Sequence, residues 1–179
     1  MNTICPKCGS DDTYTFFDSI LKTSGFHCDA CNHDFGVNGP EENDLHKYEQ
    51  GLSDFVYQRN HDGSTKMIEI HQTEKDTVLS CRIIKGMSIS QAQPITGFAP
   101  MFDQIKVLLI EKLFFLDWEE EMRDEESKDE SEHYSLTLSF NNGIKEIKKT
   151  ATGKMPSYLT VLDQLFDSLF QGFSENAGK

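Results

Sequence analysis

Cys5-Pro6-Lys7-Cys8 and Cys28-Asp29-Ala30-Cys31 are two Cys-x-x-Cys pairs with nineteen residues between them. No other feature constrains the first forty residues so tightly. Each pair sets two thiols on one tight turn. Two turns then bring four soft ligands to one point, the set that Zn²⁺ takes in a closed tetrahedral site. The spacing therefore assigns Cys5, Cys8, Cys28 and Cys31 to one structural zinc per chain. Four thiolates also suit iron, and the spacing leaves that alternative open. A redox Cys-x-x-Cys is expected singly, beside a βαβ pattern that this sequence lacks. Two disulfides would need an oxidising compartment. Met1-Asn2-Thr3-Ile4 has neither the basic nor the apolar part of a secretory leader, so the expected location is cytoplasmic. His27 and His33 flank the second pair, but four cysteines already fill the tetrahedron, and both read as solvated polar residues.

Cys5-Pro6-Lys7-Cys8-Gly9 and Cys28-Asp29-Ala30-Cys31-Asn32-His33-Asp34-Phe35 resemble the zinc-ribbon family with its rubredoxin-like knuckles. The resemblance covers about the first forty residues. It implies a small β-hairpin carrying two knuckles, with Phe35 where ribbons place an aromatic ring against the site. Gly9 fits a knuckle because glycine tolerates the backbone angles of the turn. Thr13-Tyr14-Thr15-Phe16-Phe17 and Ser24-Gly25-Phe26-His27 read as its two short strands. So small a unit buries little apolar surface, and the metal is expected to supply much of its folding energy.

Gly36, Gly39, Pro40 and Asn43 make the following stretch a link. The expected organisation is a ribbon over 1–40, an α+β domain over 41–173 and a flexible tail over 174–179. Leu45, Tyr48 and Leu52 suggest a short helix ending near Gly51. Three strands follow: Asp54–Arg59, Lys66–Gln72 and Thr77–Lys85. Asp62-Gly63 marks the first turn, and Leu79, Cys81 and Ile83 face one way. Cys81, the fifth cysteine, reads as a small buried hydrophobe. Gly86 to Ala99 has no period and reads as a loop. Pro100 opens an amphipathic helix over 101–122, with Phe102, Ile105, Leu109 and Leu113 on its apolar side. Tyr134, Leu136, Leu138 and Phe140 alternate as a strand. Asn142-Gly143 is a hairpin signal, and Ile144 to Thr150 returns as a polar strand. Leu159, Leu162, Leu165, Phe166, Leu169 and Phe170 mark a last helix. The order β-β-β-α-β-β-α implies an antiparallel sheet covered by helices on one face. Tyr134 to Phe140, the Asn-Gly turn and the Pro-led last helix look like a recurrent bacterial domain found behind zinc ribbons. That similarity spans roughly 100–170 and carries no catalytic residues across.

Charge separates the function classes. Thirty acids against seventeen Lys and Arg leave a net −13. Residues 1–40 hold −3 and residues 117–132 hold −8. Nucleic-acid affinity rests on cationic side chains displacing counterions, so the ribbon is a poor phosphate platform. Hydrophobic and charged fractions of 37% and 26% are those of a soluble globular chain. No apolar run is long enough to span a bilayer. Gly-rich phosphate loops, a Gly-x-Ser-x-Gly elbow and His-Glu-x-x-His are all missing from the sequence. Glu69 with His71, His61 with Asp62, and His133 beside the acidic run read as polar surface, so no catalytic or cofactor-binding residue is assigned. The expected function is a non-enzymatic zinc-binding adaptor or regulatory protein working through contact with a protein partner, self-association left open. The alternative is a nucleic-acid-associated ribbon protein, with Lys145, Lys148, Lys149 and Lys154 as its basic patch.

Overall fold

The computed structural model describes residues 3–38, 43–91, 93–123, 132–153, 162, 164–168 and 170. The architecture is α+β and mostly strand. A three-stranded antiparallel sheet precedes a seven-stranded one. The small sheet consists of β1 (Thr13–Asp18), β2 (Thr23–Cys28) and β3 (His33–Asn38), in that spatial order. The sequence reading expects a hairpin of two strands. The third strand continues the second cysteine turn, and Phe26 pairs with Phe35 across it.

The large sheet has the order β7-β6-β5-β4-β9-β10-β8. Helix α1 (Asn43–Gly51) runs directly into β4 (Leu52–His61). Next come β5 (Ser64–Gln72), β6 (Thr77–Lys85) and β7 (Ser88–Gln91), joined as antiparallel neighbours. The meander thus has four strands where the sequence suggests three. Lys85 pairs with Ser88, so only Gly86 and Met87 make the turn, and Gly86 has a φ of +56°. Ser-Ile-Ser-Gln carries one apolar residue and gives no alternation to detect. The last three strands are β8 (Glu121–Arg123), β9 (His133–Phe140) and β10 (Ile147–Thr152). β8 lies parallel to β10 at the sheet's edge. β10 begins three residues later than expected, because the Asn142 loop docks on α1. There Asn142 donates to the Lys47 carbonyl at 2.8 Å, and a Cβ on Gly51 would meet the Asn142 side chain at 2.2 Å.

Strand alternation sorts the side chains onto two faces. Phe55, Tyr57, Ile68, Ile70, Leu79 and Leu136 are buried on one of them. Cys81 and Leu138 lie in the same core, as the pattern predicts for Cys81. Helix α2 (Ala99–Val107) covers this face through Phe102 and Ile105. Residues 164–168 are helical and contribute Phe166, whose ring stacks on Phe55 at 5.4 Å and on Tyr57 at 4.4 Å.

The expected single helix over 101–122 is not formed. After α2 the chain widens into a π turn (Leu108–Lys112), and Phe114 takes a left-handed conformation (φ 50°, ψ 46°). A 3-10 turn (Phe115–Asp117) and then β8 follow. The reason lies in the residues. Leu113, Phe114, Phe115, Leu116 and Trp118 are apolar on all sides, and one helical stripe cannot serve them. Breaking the helix sends Phe115 and Trp118 into the large core and Phe114 towards the small sheet.

No helix among the described residues is long and apolar enough to cross a membrane. The expected link at Pro40, residues 124–131 of the acidic stretch, Lys154, the start of the last helix and the tail over 174–179 lie outside the described residues.

Phe166→Ala removes the ring that covers two central-strand aromatics. Truncating so buried a Phe costs about 3–5 kcal/mol. Chemical denaturation of the variant should show that loss, and a difference under about 1 kcal/mol would mean that Phe166 is not a core residue.

Candidate metal centre

The two cysteine turns share one local design. Gly9 N–H donates to the Cys5 carbonyl at 2.9 Å, and Asn32 N–H to the Cys28 carbonyl at 2.8 Å. The residue after the second cysteine of each pair is left-handed: Gly9 at φ 72° and Asn32 at φ 55°. Glycine and asparagine are the residues that enter this region most readily. Gly9 is legible from sequence. Asn32 has the same role, and its place directly after Cys31 is the signal that finds it.

The turns bring the four sulfurs within 4.8 Å of one another. Cys5 Sγ lies 3.7 Å from Cys31 Sγ, and Cys8 Sγ lies 3.6 Å from Cys28 Sγ. These separations are far beyond a disulfide bond. A zinc–sulfur bond of about 2.3 Å gives a tetrahedron whose sulfur–sulfur edge is about 3.8 Å. The cross-turn distances fit that edge, so the cluster could hold a metal ion. Cys5 and Cys28 are buried, Cys31 is half-buried and Cys8 is exposed.

Protonation makes the same case. Burial pushes the Cys31 thiol strongly up, and the sulfurs of Cys8, Cys5 and Cys28 push it further. Burial also raises Cys5. At Cys28 burial acts in the same sense, but hydrogen bonds from the Cys31 backbone and the Cys8 sulfur outweigh it and leave the thiol below its usual value. The Cys28 thiol gives up its proton more easily than Cys5 or Cys31. A bound cation favours the thiolate, so loading expels protons.

Neither flanking histidine belongs to the sulfur cluster. His27 Nδ1 lies 2.6 Å from Asp34 Oδ1. His33 stacks along Phe35 with ring centroids 6.3 Å apart. Phe35 itself is fully buried against the cysteines, where the ribbon resemblance puts an aromatic.

What the sequence hides is the rest of this small core. Phe114, nearly eighty residues from Phe35, packs edge-on against it at 5.1 Å and touches Phe26 at 5.5 Å. Asp117 Oδ2 accepts the Gly36 N–H at 3.0 Å. Gly36 has φ +57°, and a Cβ there would stand 2.6 Å from Phe114 Cε1. The left-handed Phe114 and the glycine opposite it are therefore two halves of one contact. No local pattern announces it.

Of the polar pairs considered in the sequence, Glu69 and His71 go to different partners, while His61 and Asp62 stay in contact. Glu69 forms an ion pair with Arg82, and His71 pairs with Asp54. His61 lies between Asp62 (3.3 Å) and Glu132 (3.1 Å), and His133 Nδ1 is 3.3 Å from Thr152 Oγ1. The expected lysine patch is also broken up. Lys145 and Lys148 are exposed, but Lys149 points into the protein and donates to the Trp118 carbonyl at 2.6 Å. Burial lowers its pKa, partly countered by Glu120 and Asp117.

The chain matches no protein-family model, no curated protein and no solved structure. The reading of the site therefore rests on its own geometry.

Two outcomes are expected. First, metal should leave as the pH falls, because protons and metal compete for the sulfurs. With metal removed at mild alkaline pH, nothing closes the small core, so a thiol reagent should modify Cys5, Cys8, Cys28 and Cys31 but not Cys81, which stays buried in the core of the large sheet. Labelling of Cys81 before denaturant is added would contradict this. Second, Phe114→Ala should weaken metal retention in a chelator competition at least tenfold, since losing a buried ring costs about 3–5 kcal/mol. Unchanged retention would show that the small core does not need the ring.

Proposed function

We propose that this chain is a non-enzymatic zinc-binding adaptor or regulatory protein, its first forty residues a zinc ribbon and its metal structural. The observation that carries the reading is the four-sulfur cluster. Its donors already fill a tetrahedron, and a site with no open position suits folding rather than catalysis. Zinc is favoured over iron because it takes this closed geometry without a redox role. Unpaired cysteines persist where glutathione keeps them reduced, which supports a cytoplasmic location.

Contact with a protein partner is supported by the turn between β1 and β2. Asp18 Oδ1 accepts the N–H groups of Ile20 and Leu21 at 2.8 and 3.0 Å, which fixes the turn. Phe17, Ile20 and Leu21 are nonetheless 66%, 88% and 63% exposed. Three large apolar side chains on one tip are suited to a protein surface. The nucleic-acid alternative loses support, because Lys149 is buried and two acids, Asp117 and Glu120, stand near it.

The test uses one preparation. Elemental analysis of protein made without chelator should find one zinc per chain. Fluorescence titration with a mixed-sequence duplex should show no binding at physiological salt, since non-specific affinity is built from phosphate neutralisation and reaches only about 10⁻⁴ to 10⁻⁶ M even in suited proteins. Micromolar binding that falls steeply with salt, and that is lost in Lys145→Gln/Lys148→Gln, would overturn the adaptor reading and promote the alternative.

A further inference from the structure

The inner face of the large sheet changes character at one end. Along β4, β5 and β6 its cross-strand rows are apolar until Arg59, Lys66 and Ile83 come opposite one another. The next row on the same face is His61, Ser64 and Lys85. Basic side chains therefore crowd two successive rows. Arg59 and Lys66 are direct partners on adjacent strands, where like charges destabilise a sheet. These rows line a cavity of about 580 Å³, closed on one side by Asp167.

Resident carboxylates account for part of this charge. Asp167 lies 3.1 Å from Lys66 Nζ and 3.6 Å from Arg59 Nη1. Glu132 takes Arg59 Nη2 at 3.1 Å, His61 at 3.1 Å and the Tyr134 hydroxyl at 2.7 Å. Burial pushes the Glu132 carboxyl up, but these partners outweigh it and keep it ionised. Asp62, on the rim, is 78% exposed and pairs with His61. Among the described residues nothing pairs with the Lys85 ammonium or the Ser64 hydroxyl, and both line the cavity.

We propose that this cavity binds a small organic anion, a phosphate monoester or a carboxylate. Its charged group sits between Lys85, Lys66 and Ser64, and its organic part lies against Ile83. Lys85 and Ser64 supply donors that no described residue uses, and charge-assisted hydrogen bonds are the stronger kind. Asp167 holds the cations as an internal carboxylate and competes with the ligand for Lys66. The net −13 of the chain opposes any anion, so the interaction is local and sensitive to salt.

Calorimetric titration of the full chain with inorganic phosphate, phenyl phosphate and benzoate tests this at low ionic strength. Saturable binding of phenyl phosphate or benzoate is expected. Lys85→Gln should weaken it about tenfold, in line with loss of one charge-assisted contact. Asp167→Asn should tighten it by removing the competitor, an effect that a purely structural ion-pair cluster does not produce. Phenyl phosphate exceeding benzoate assigns the phosphate group, and the reverse assigns the carboxylate. Lys85 is exposed, so the variant should fold, and circular dichroism checks that. Absence of binding by all three probes, or an affinity that Lys85→Gln leaves unchanged, would overturn the proposal.

Discussion

Four sulfur atoms within 4.8 Å of one another tie together two turns that almost no apolar core joins. The hydrophobic cluster at the small sheet is Cys5, Cys28 and Phe35, completed by Phe114 from far along the chain. Three short strands with so little burial do not offset the entropy of ordering them. A metal held by the sulfurs would supply the missing free energy, because binding to a site that the unfolded chain lacks is folding free energy. The left-handed backbones of Gly9 and Asn32, the third strand and the burial of Phe35 all follow from closing that cluster.

The large sheet stands on different physics. Its central strands, β4 and β9, present Phe55, Tyr57, Leu136 and Leu138 to helices on one side. Hydrophobic burial needs no particular atom to be present. It asks only that the alternation along each strand stay in register. One part of the protein is thus held by a few directional bonds and the other by many non-directional contacts.

This difference explains what could be read from the sequence. The cysteine turns are local, so Cys5, Cys8, Cys28, Cys31 and Gly9 are legible from spacing. Strands β5, β6 and β9 are legible because Ile68 with Ile70, Leu79 with Cys81, and Leu136 with Leu138 alternate with polar neighbours. β7 escapes because Ser88–Gln91 lies on an exposed edge and has no apolar face to show. The break after α2 escapes because Leu113 to Trp118 is apolar without a period. Its course is decided by two destinations, the large core for Phe115 and the small one for Phe114. Lys149 reads from sequence as part of a basic patch for a related reason. Residue type alone does not reveal that the Trp118 carbonyl waits inside to receive its ammonium.

Phe114 and Asp117 belong to two structures at once. They sit between α2 and β8, yet Phe114 completes the core around the cysteines and Asp117 accepts the Gly36 N–H. Sharing of this kind is reciprocal: a change of free energy at one side must appear, equal in size, at the other. Whatever shifts the turns over 108–117 would alter the hold on a metal bound by the sulfurs, and gain or loss of that metal would bias those turns in return. Through ring packing and one amide hydrogen bond, the metal content of the small core would then be felt in the larger sheet.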